Sequence, residues 1–129
     1  MSVERETIDA AAAPAAIGPY SHAVRVGELL FCSGQIPLDP GTGELVGATA
    51  AEQARQCLLN LGAVCAEAGT SLGRAARLTV YMTDLGEFAA VNEVYGTFFE
   101  AGEPPARVAI GVVALPRGAQ VEIDAIVAL

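Results

Sequence analysis

The amino-acid sequence predicts an α+β fold, a two-layer sandwich in which a mixed sheet of five or six strands carries two helices on one face. Three observations point there. Apolar periodicity alternates in the order strand, strand, strand, helix, strand, helix, strand, strand. Each helical segment has one apolar stripe, so the pair can cover one side of a sheet and no more. The length of 129 residues suits a single domain, read as 1–129.

Val3 to Ile8 reads as a short first strand. Ala10 to Pro19, rich in Ala, Pro and Gly, is a loop, though too apolar for an idle linker. His22 to Val26 and Leu29 to Ser33, split by Gly27-Glu28, form a β-hairpin. Pro37, Asp39, Pro40, Gly41 and Gly43 then cluster into turns. Thr49 and Glu52 stand at capping-box spacing. Ala50, Ala54, Leu58, Leu61, Cys65 and Ala68 follow on one helical face, and Gly69 suits a left-handed stop.

Ala75 to Met82 is a strand. Asp84 is placed to cap a second helix, with Glu87 three residues on and Phe88, Val91, Tyr95 and Phe99 on one face. Gly102, Pro104 and Pro105 end it. Arg107 to Ala114 and Gln120 to Ala128 are the last strands, joined by a Pro116-Arg117-Gly118 turn. The sheet face away from the helices should be polar, yet Val108, Ile110, Ile123, Ile126 and Val127 leave few polar outward positions. A sheet apolar on both faces, with helices for one, predicts a homo-oligomer.

Composition excludes several classes. Apolar residues at 53% and charged residues at 17% rule out disorder. The uncharged run from Ala10 to Val24 is broken by Pro14, Gly18 and Pro19, so no membrane span is expected. The segment MSVERETID lacks the apolar core of a secretory signal, which makes the cytoplasm the expected compartment. Seven cations, all Arg, against fifteen anions give a net charge of −8. Without Lys there is no Schiff base and no P-loop, and without a basic stripe or Trp nucleic acid is a poor partner. Cys32, Cys57 and Cys65 lack CxxC spacing and His22 stands alone, so no metal site and no disulfide framework is expected. The three thiols read as small buried hydrophobes.

Several residues admit two readings. Arg107 opens an apolar strand directly after Pro104-Pro105-Ala106. It is either a solvated strand end or a two-point clamp for a carboxylate or phosphate. Glu122 and Asp124 alternate with aliphatics and are either solvated or, if buried, able to orient water and move a proton. Tyr20 is a loop anchor or a donor at a pocket wall. The Ser33-Gly34-Gln35 turn is suited to close backbone approach. Asn92 is a buried hydrogen-bonding group or the solvent side of its helix. His22 beside Ser21 makes no triad, since strand neighbours point to opposite faces. If the last two strands pair as a hairpin turning at residue 117, Glu122 faces Val112 and Arg107 lies five residues away, about 17 Å. One site using both would then draw them from different subunits.

Ala16-Ile17-Gly18-Pro19-Tyr20-Ser21, Cys32-Ser33-Gly34-Gln35-Ile36-Pro37, Thr79-Val80-Tyr81 to Asp84-Leu85, Phe88 to Tyr95, Pro105-Ala106-Arg107, Leu115-Pro116 and Val121-Glu122-Ile123 stand together in one order. In that order the chain resembles the reactive-intermediate deaminases, the RidA or YjgF-type family, also labelled endoribonuclease L-PSP. The resemblance runs from about residue 7 to 128 and implies a chorismate-mutase-like fold, a homotrimer and sites between subunits. It implies hydrolysis of enamines and imines released by pyridoxal-phosphate-dependent dehydratases: 2-aminoacrylate and 2-aminocrotonate, or 2-iminopropanoate and 2-iminobutanoate. The products are a 2-oxo acid and ammonia, with no cofactor and no metal.

By that resemblance Arg107 holds the substrate carboxylate, Glu122 positions or activates water, and Tyr20 joins them in catalysis. Ser33, Gly34, Asn92 and Ala109 bind substrate. Ala109 stands where the family often has cysteine, so no thiol is required there, and the loop from Glu100 to Pro105 is short. Two other functions compete: a trimeric small-carboxylate-binding or regulatory protein without chemistry, and the ribonuclease or translation-inhibitor role attached to the family label.

Overall fold

The computed structural model describes residues 3–129. Eight main elements follow the expected order: β1 (Arg5–Ile8), β2 (Ala23–Val26), β3 (Leu29–Gln35), α1 (Ala50–Glu67), β4 (Ala75–Met82), α2 (Phe88–Thr97), β5 (Ala106–Gly111) and β6 (Val121–Ala128). The strands form one sheet in the order β1-β2-β3-β6-β4-β5. Only β4 and β5 are parallel; every other pairing is antiparallel. No helix among the described residues is long and apolar enough to cross a membrane.

One expectation fails. The last two strands are not a hairpin: β5 pairs with β4 at the sheet edge, while β6 inserts between β3 and β4. The reason is α2. A strand–helix–strand unit returns the chain parallel to its start, so β5 lies beside β4. The connection after β5 then carries the chain past that edge pair, turning at Pro116–Gly118 with Arg117 in the left-handed region (φ 61°). β5 also stops at Gly111 rather than Ala114, although the Val112 amide still donates to the Met82 carbonyl at 2.8 Å.

The helices begin as their side chains dictate. The Thr49 hydroxyl accepts the Glu52 amide at 3.2 Å, satisfying one free donor of α1. Asp84 does not cap α2 itself. It accepts the Gly86 amide at 2.8 Å and starts a short 3₁₀ turn, from which α2 continues at Phe88. At its far end, α1 has no basic residue in the last turn; the guanidinium of Arg25, from β2, donates to the Ala68 carbonyl at 2.7 Å. A cation there complements the helix dipole.

Both helices pack on one sheet face. Leu58, Leu61 and Val64 of α1 meet Leu30, Leu78, Val80, Met82, Val121, Ile123 and Val127, and all are fully buried or nearly so. Cys32, Cys57 and Cys65 are buried free thiols. Strand β6 alternates buried and half-buried along its whole length, as a central strand with one covered face must.

The opposite face has no covering layer among the described residues. Val24, Phe31 and Ile126 are directly paired across β2, β3 and β6. Leu29, Phe31, Val108 and Ile110 remain 40–43% exposed on that side, a higher exposure than a covered sheet face would leave.

Two buried polar residues of α1 tie loops to this frame. Asn60 donates to the Leu38 carbonyl at 3.0 Å and the Ile36 carbonyl at 3.4 Å. Gln53 donates to the Gly47 carbonyl at 3.0 Å and accepts the Gln120 amide at 2.7 Å, just before β6. Replacing Asn60 with Ala strands the buried Leu38 carbonyl, whereas the Ile36 carbonyl keeps the Leu38 amide at 2.8 Å, and is expected to destabilise the protein by about 1–3 kcal/mol. Urea unfolding of the variant beside the parent measures this.

Candidate functional site

One cavity, about 300 Å³, lies at the end of β3 and β6, where the loops before β2 and after β3 meet. Tyr20, Ser33, Gly34, Gln35 and Glu122 supply its polar groups, and Pro14, Ala15, Ile17, Ile36, Leu38 and Pro116 its apolar walls. Four of the residues singled out in the sequence are therefore brought together.

Gly34 explains how Glu122 reaches the cavity. The β3–β6 register slips between Cys32 and Gln35, so Ser33 and Gly34 form a bulge in a strand rather than a turn. A Cβ added to Gly34 would sit 3.0 Å from the Glu122 carboxyl carbon and overlap one of its oxygens. Only glycine lets the carboxyl lie over the main chain here. Burial, and then the charge of Asp124, push the Glu122 carboxyl above its ordinary range.

Two hydroxyls face the same space. Ser33 donates to the Ser21 carbonyl at 2.6 Å, which leaves its oxygen free to accept. The Tyr20 oxygen accepts the Ile17 amide at 3.4 Å, which leaves its proton free to donate. The loop carrying Tyr20 is pinned by His22. The buried ring accepts the Ala10 amide at Nδ1 (2.8 Å) and contacts the Pro14 carbonyl through Nε2 (2.7 Å), which fixes the Nε2–H tautomer. His22 is thus a loop clamp, a role its position beside Ser21 did not suggest.

Arg107 and Asn92 lie elsewhere. They line a shallower cavity with Tyr95, Gly96, Phe99, Pro104 and Pro105. The guanidinium sits 4.8 Å from the centre of the Tyr95 ring and 5.2 Å from that of Phe88, and donates to the Asn92 side-chain oxygen. Asn92 is exposed, yet its oxygen is engaged by Arg107. Ala109 lines neither cavity; it packs against the core beside Val80.

The two cavities are on opposite faces of the sheet. Arg107 pairs with Leu78, whose side chain points to the helices, and stacks on α2. Glu122 pairs with Tyr81 and alternates with Val121 and Ile123, which are buried under the helices, so it points the other way. With β4 between them and three residues of offset, their Cα atoms are about 14 Å apart. The expected separation within one chain therefore holds, through an intervening strand rather than a long hairpin.

A family model described as Endoribonuclease L-PSP matches residues 10–129. The chain belongs to this family. It is 53% identical over 124 residues to the RutC family protein y4sK of Sinorhizobium fredii, covering 96% of this chain and 98% of that protein. It is 47% identical over 125 residues to the 2-iminobutanoate/2-iminopropanoate deaminase of Mus musculus, covering 97% of this chain and 92% of the mouse protein. Among solved structures, E. coli TdcF with bound serine superposes with a TM-score of 0.92 at 42% identity, over 96% of this chain and 98% of TdcF. The E. coli YjgF gene product superposes with a TM-score of 0.91 at 43% identity, over 95% of this chain and 98% of that one.

In this L-PSP-family protein the raised proton affinity of Glu122 has a consequence for stability. A carboxyl held higher in the folded state than unfolded contributes fully below its unfolded range, and that contribution is lost as pH rises through the folded value. Glu122→Gln should therefore gain on the parent as pH rises from 4 to 7, a trend read by thermal unfolding at both pH values. A gap that stays constant would contradict the assignment.

Proposed function

We propose that the protein hydrolyses 2-imino acids, the tautomers of short enamines, to 2-oxo acids and ammonia, in sites shared between neighbouring protomers of a homotrimer. One observation carries this reading. Arg107 and Glu122 project from opposite faces of one sheet, so a small ligand meets both only when one protomer lends the guanidinium and another the carboxyl. The uncovered apolar face, with Phe31, Val108 and Ile110 half-exposed, supplies a surface for such packing. The mouse relative, named as a 2-iminobutanoate/2-iminopropanoate deaminase, supports the reaction class.

The chemistry demands little of the protein. A protonated imine carbon is already electrophilic. Arg107, oriented by Asn92 and the rings of Tyr95 and Phe88, grips the substrate carboxylate in two-point contact. Ser33 accepts from the nitrogen, Tyr20 donates, and Glu122 holds water at C2. Water adds to C2 and Glu122 takes one of its protons. Glu122 passes that proton to nitrogen, then takes the hydroxyl proton as the C–N bond breaks and the carbonyl forms, and the departing ammonia carries it off as ammonium. Proximity and one proton-transferring carboxyl suffice. Ala109 contributes its main chain at most, because its side chain faces the core. Dehydratases that depend on pyridoxal phosphate and release such imines are the expected suppliers.

A second reading, binding without turnover, is favoured by the serine held in E. coli TdcF. Timing ammonia release after a threonine or serine dehydratase separates the two. Arg107→Ala and Glu122→Gln should each lower the coupled rate by orders of magnitude while the fold persists. A single unchanged variant would refute its role.

The shared site makes a sharper prediction. In a cyclic trimer, mixing equal amounts of unfolded Arg107→Ala and Glu122→Gln chains and refolding them pairs an intact Arg107 with an intact Glu122 in about one quarter of the sites. Recovery of about that fraction of the parent rate is expected, with a trimer mass by light scattering. No recovery from correctly assembled trimers would place the whole site in one chain.

A further inference from the structure

Glu122 does not stand alone on its face of the sheet. Asp124 follows two residues later on the same strand and points the same way, about 6.7 Å along. Tyr81 pairs directly with Glu122, and Thr79 with Asp124. The Tyr81 hydroxyl reaches diagonally across β4 and β6 and donates to Asp124 Oδ2 at 3.0 Å. That bond holds the Asp124 carboxylate in one orientation beside Glu122. Neither Tyr81 nor Asp124 lines the cavity, so neither touches a ligand there.

We propose that Asp124, held by the Tyr81 hydroxyl, is a positioning residue that sets the proton affinity of Glu122 and so the pH range over which the site works. The inference rests on Glu122 as the proton-transferring group. A carboxyl that must take a proton from water and return it to a leaving amine works best with an affinity near the ambient pH. An ordinary solvated glutamate is too weak a base. Half-burial raises its affinity, and a second carboxylate two residues away raises it further. Burial and the bond to Asp124 hold the Tyr81 proton in place as well, so Tyr81 stays a donor.

The other groups facing Glu122 are few. Tyr20 lies across the cavity, and Cys57 of α1 lies behind the sheet against the Val121 carbonyl, at 3.6 Å. From β3 the uncharged Ser33, Gly34 and Gln35 approach. In the shared site the neighbouring protomer adds its Arg107, whose charge the substrate carboxylate takes up. On that side of the sheet Asp124 is the nearest charge along the strand, while Arg77, paired with Ile126 two residues beyond Asp124, lies farther off.

The test is a pH titration of the intact protein with ¹³C-labelled glutamate and aspartate side chains, the Glu122 signal being assigned by its loss in Glu122→Gln. At an effective dielectric of about 20 to 80, charges about 6.7 Å apart couple by roughly 0.5 to 2 pH units. Asp124→Asn should lower the Glu122 midpoint by that amount and move the matching limb of the kcat/KM profile equally. Asp124→Glu should leave both near the parent values. In the parent, the Glu122 curve should bend where Asp124 titrates, the signature of coupled sites; this needs no variant to fold. A one-step parent curve, or an unmoved midpoint in folded Asp124→Asn, overturns the inference. The carboxyl titration reads this coupling even if no imine is turned over, so loss of the proposed function would show separately in the coupled assay.

Discussion

Strand β4 lies between the two side chains on which the proposed chemistry depends, and the pleat sends them in opposite directions. Leu78 carries Arg107 to the helix side through its pairing with β5; Tyr81 shares the other side with Glu122. The core locks this parity. A one-residue slip of β6 would expose Val121, Ile123 and Val127 and bury Glu122 and Asp124 in their place. No loop motion brings the two halves together within one chain. Assembly is thus part of the site on this reading, because the same sheet that holds the core holds the halves apart.

Most of the layout was legible in the residues. The capping pair Thr49 and Glu52, the stripes of α1 and α2, and the alternation in β6 each depend on neighbours a few residues away, and each is read correctly from local spacing. The pairing of β5 failed because pairing is not local. Adjacency in sequence favoured a hairpin, whereas the helix between β4 and β5 required a parallel partner. The pattern did contain a hint: aliphatics alternating without a break from Val121 to Val127 suit a central strand better than an edge.

The site divides along the same line. Tyr20, Ser33, Gly34 and Glu122 converge in one cavity, and Arg107 with Asn92 in another. The supports were harder to see. His22 invited thoughts of catalysis but serves as a clamp on the loop that bears Tyr20. Asn60 and Gln53 are polar residues inside a helix, and only the packing shows that they hold the carbonyls and amides of loops around the cavity and before β6. Such roles turn on contacts between 6 and about 70 residues distant, beyond any window of hydropathy.

The two half-sites also differ in their charge chemistry, and the difference suits a shared anionic substrate. Arg107 rests on aromatic rings and a neutral amide oxygen, so its charge is oriented without being cancelled. A carboxylate in the place of Asn92 would hold the fork as firmly but would compete with the substrate for it. On the other half, two carboxyls share one strand face, and burial with the charge of Asp124 raises the proton affinity of Glu122. On the proposed reading, joined across a subunit boundary, the first half would take the substrate's negative end and the second handle the proton that hydrolysis must move. The sheet fixes them on opposite faces of one protomer, so on the proposed reading assembly, not motion, brings both to one ligand.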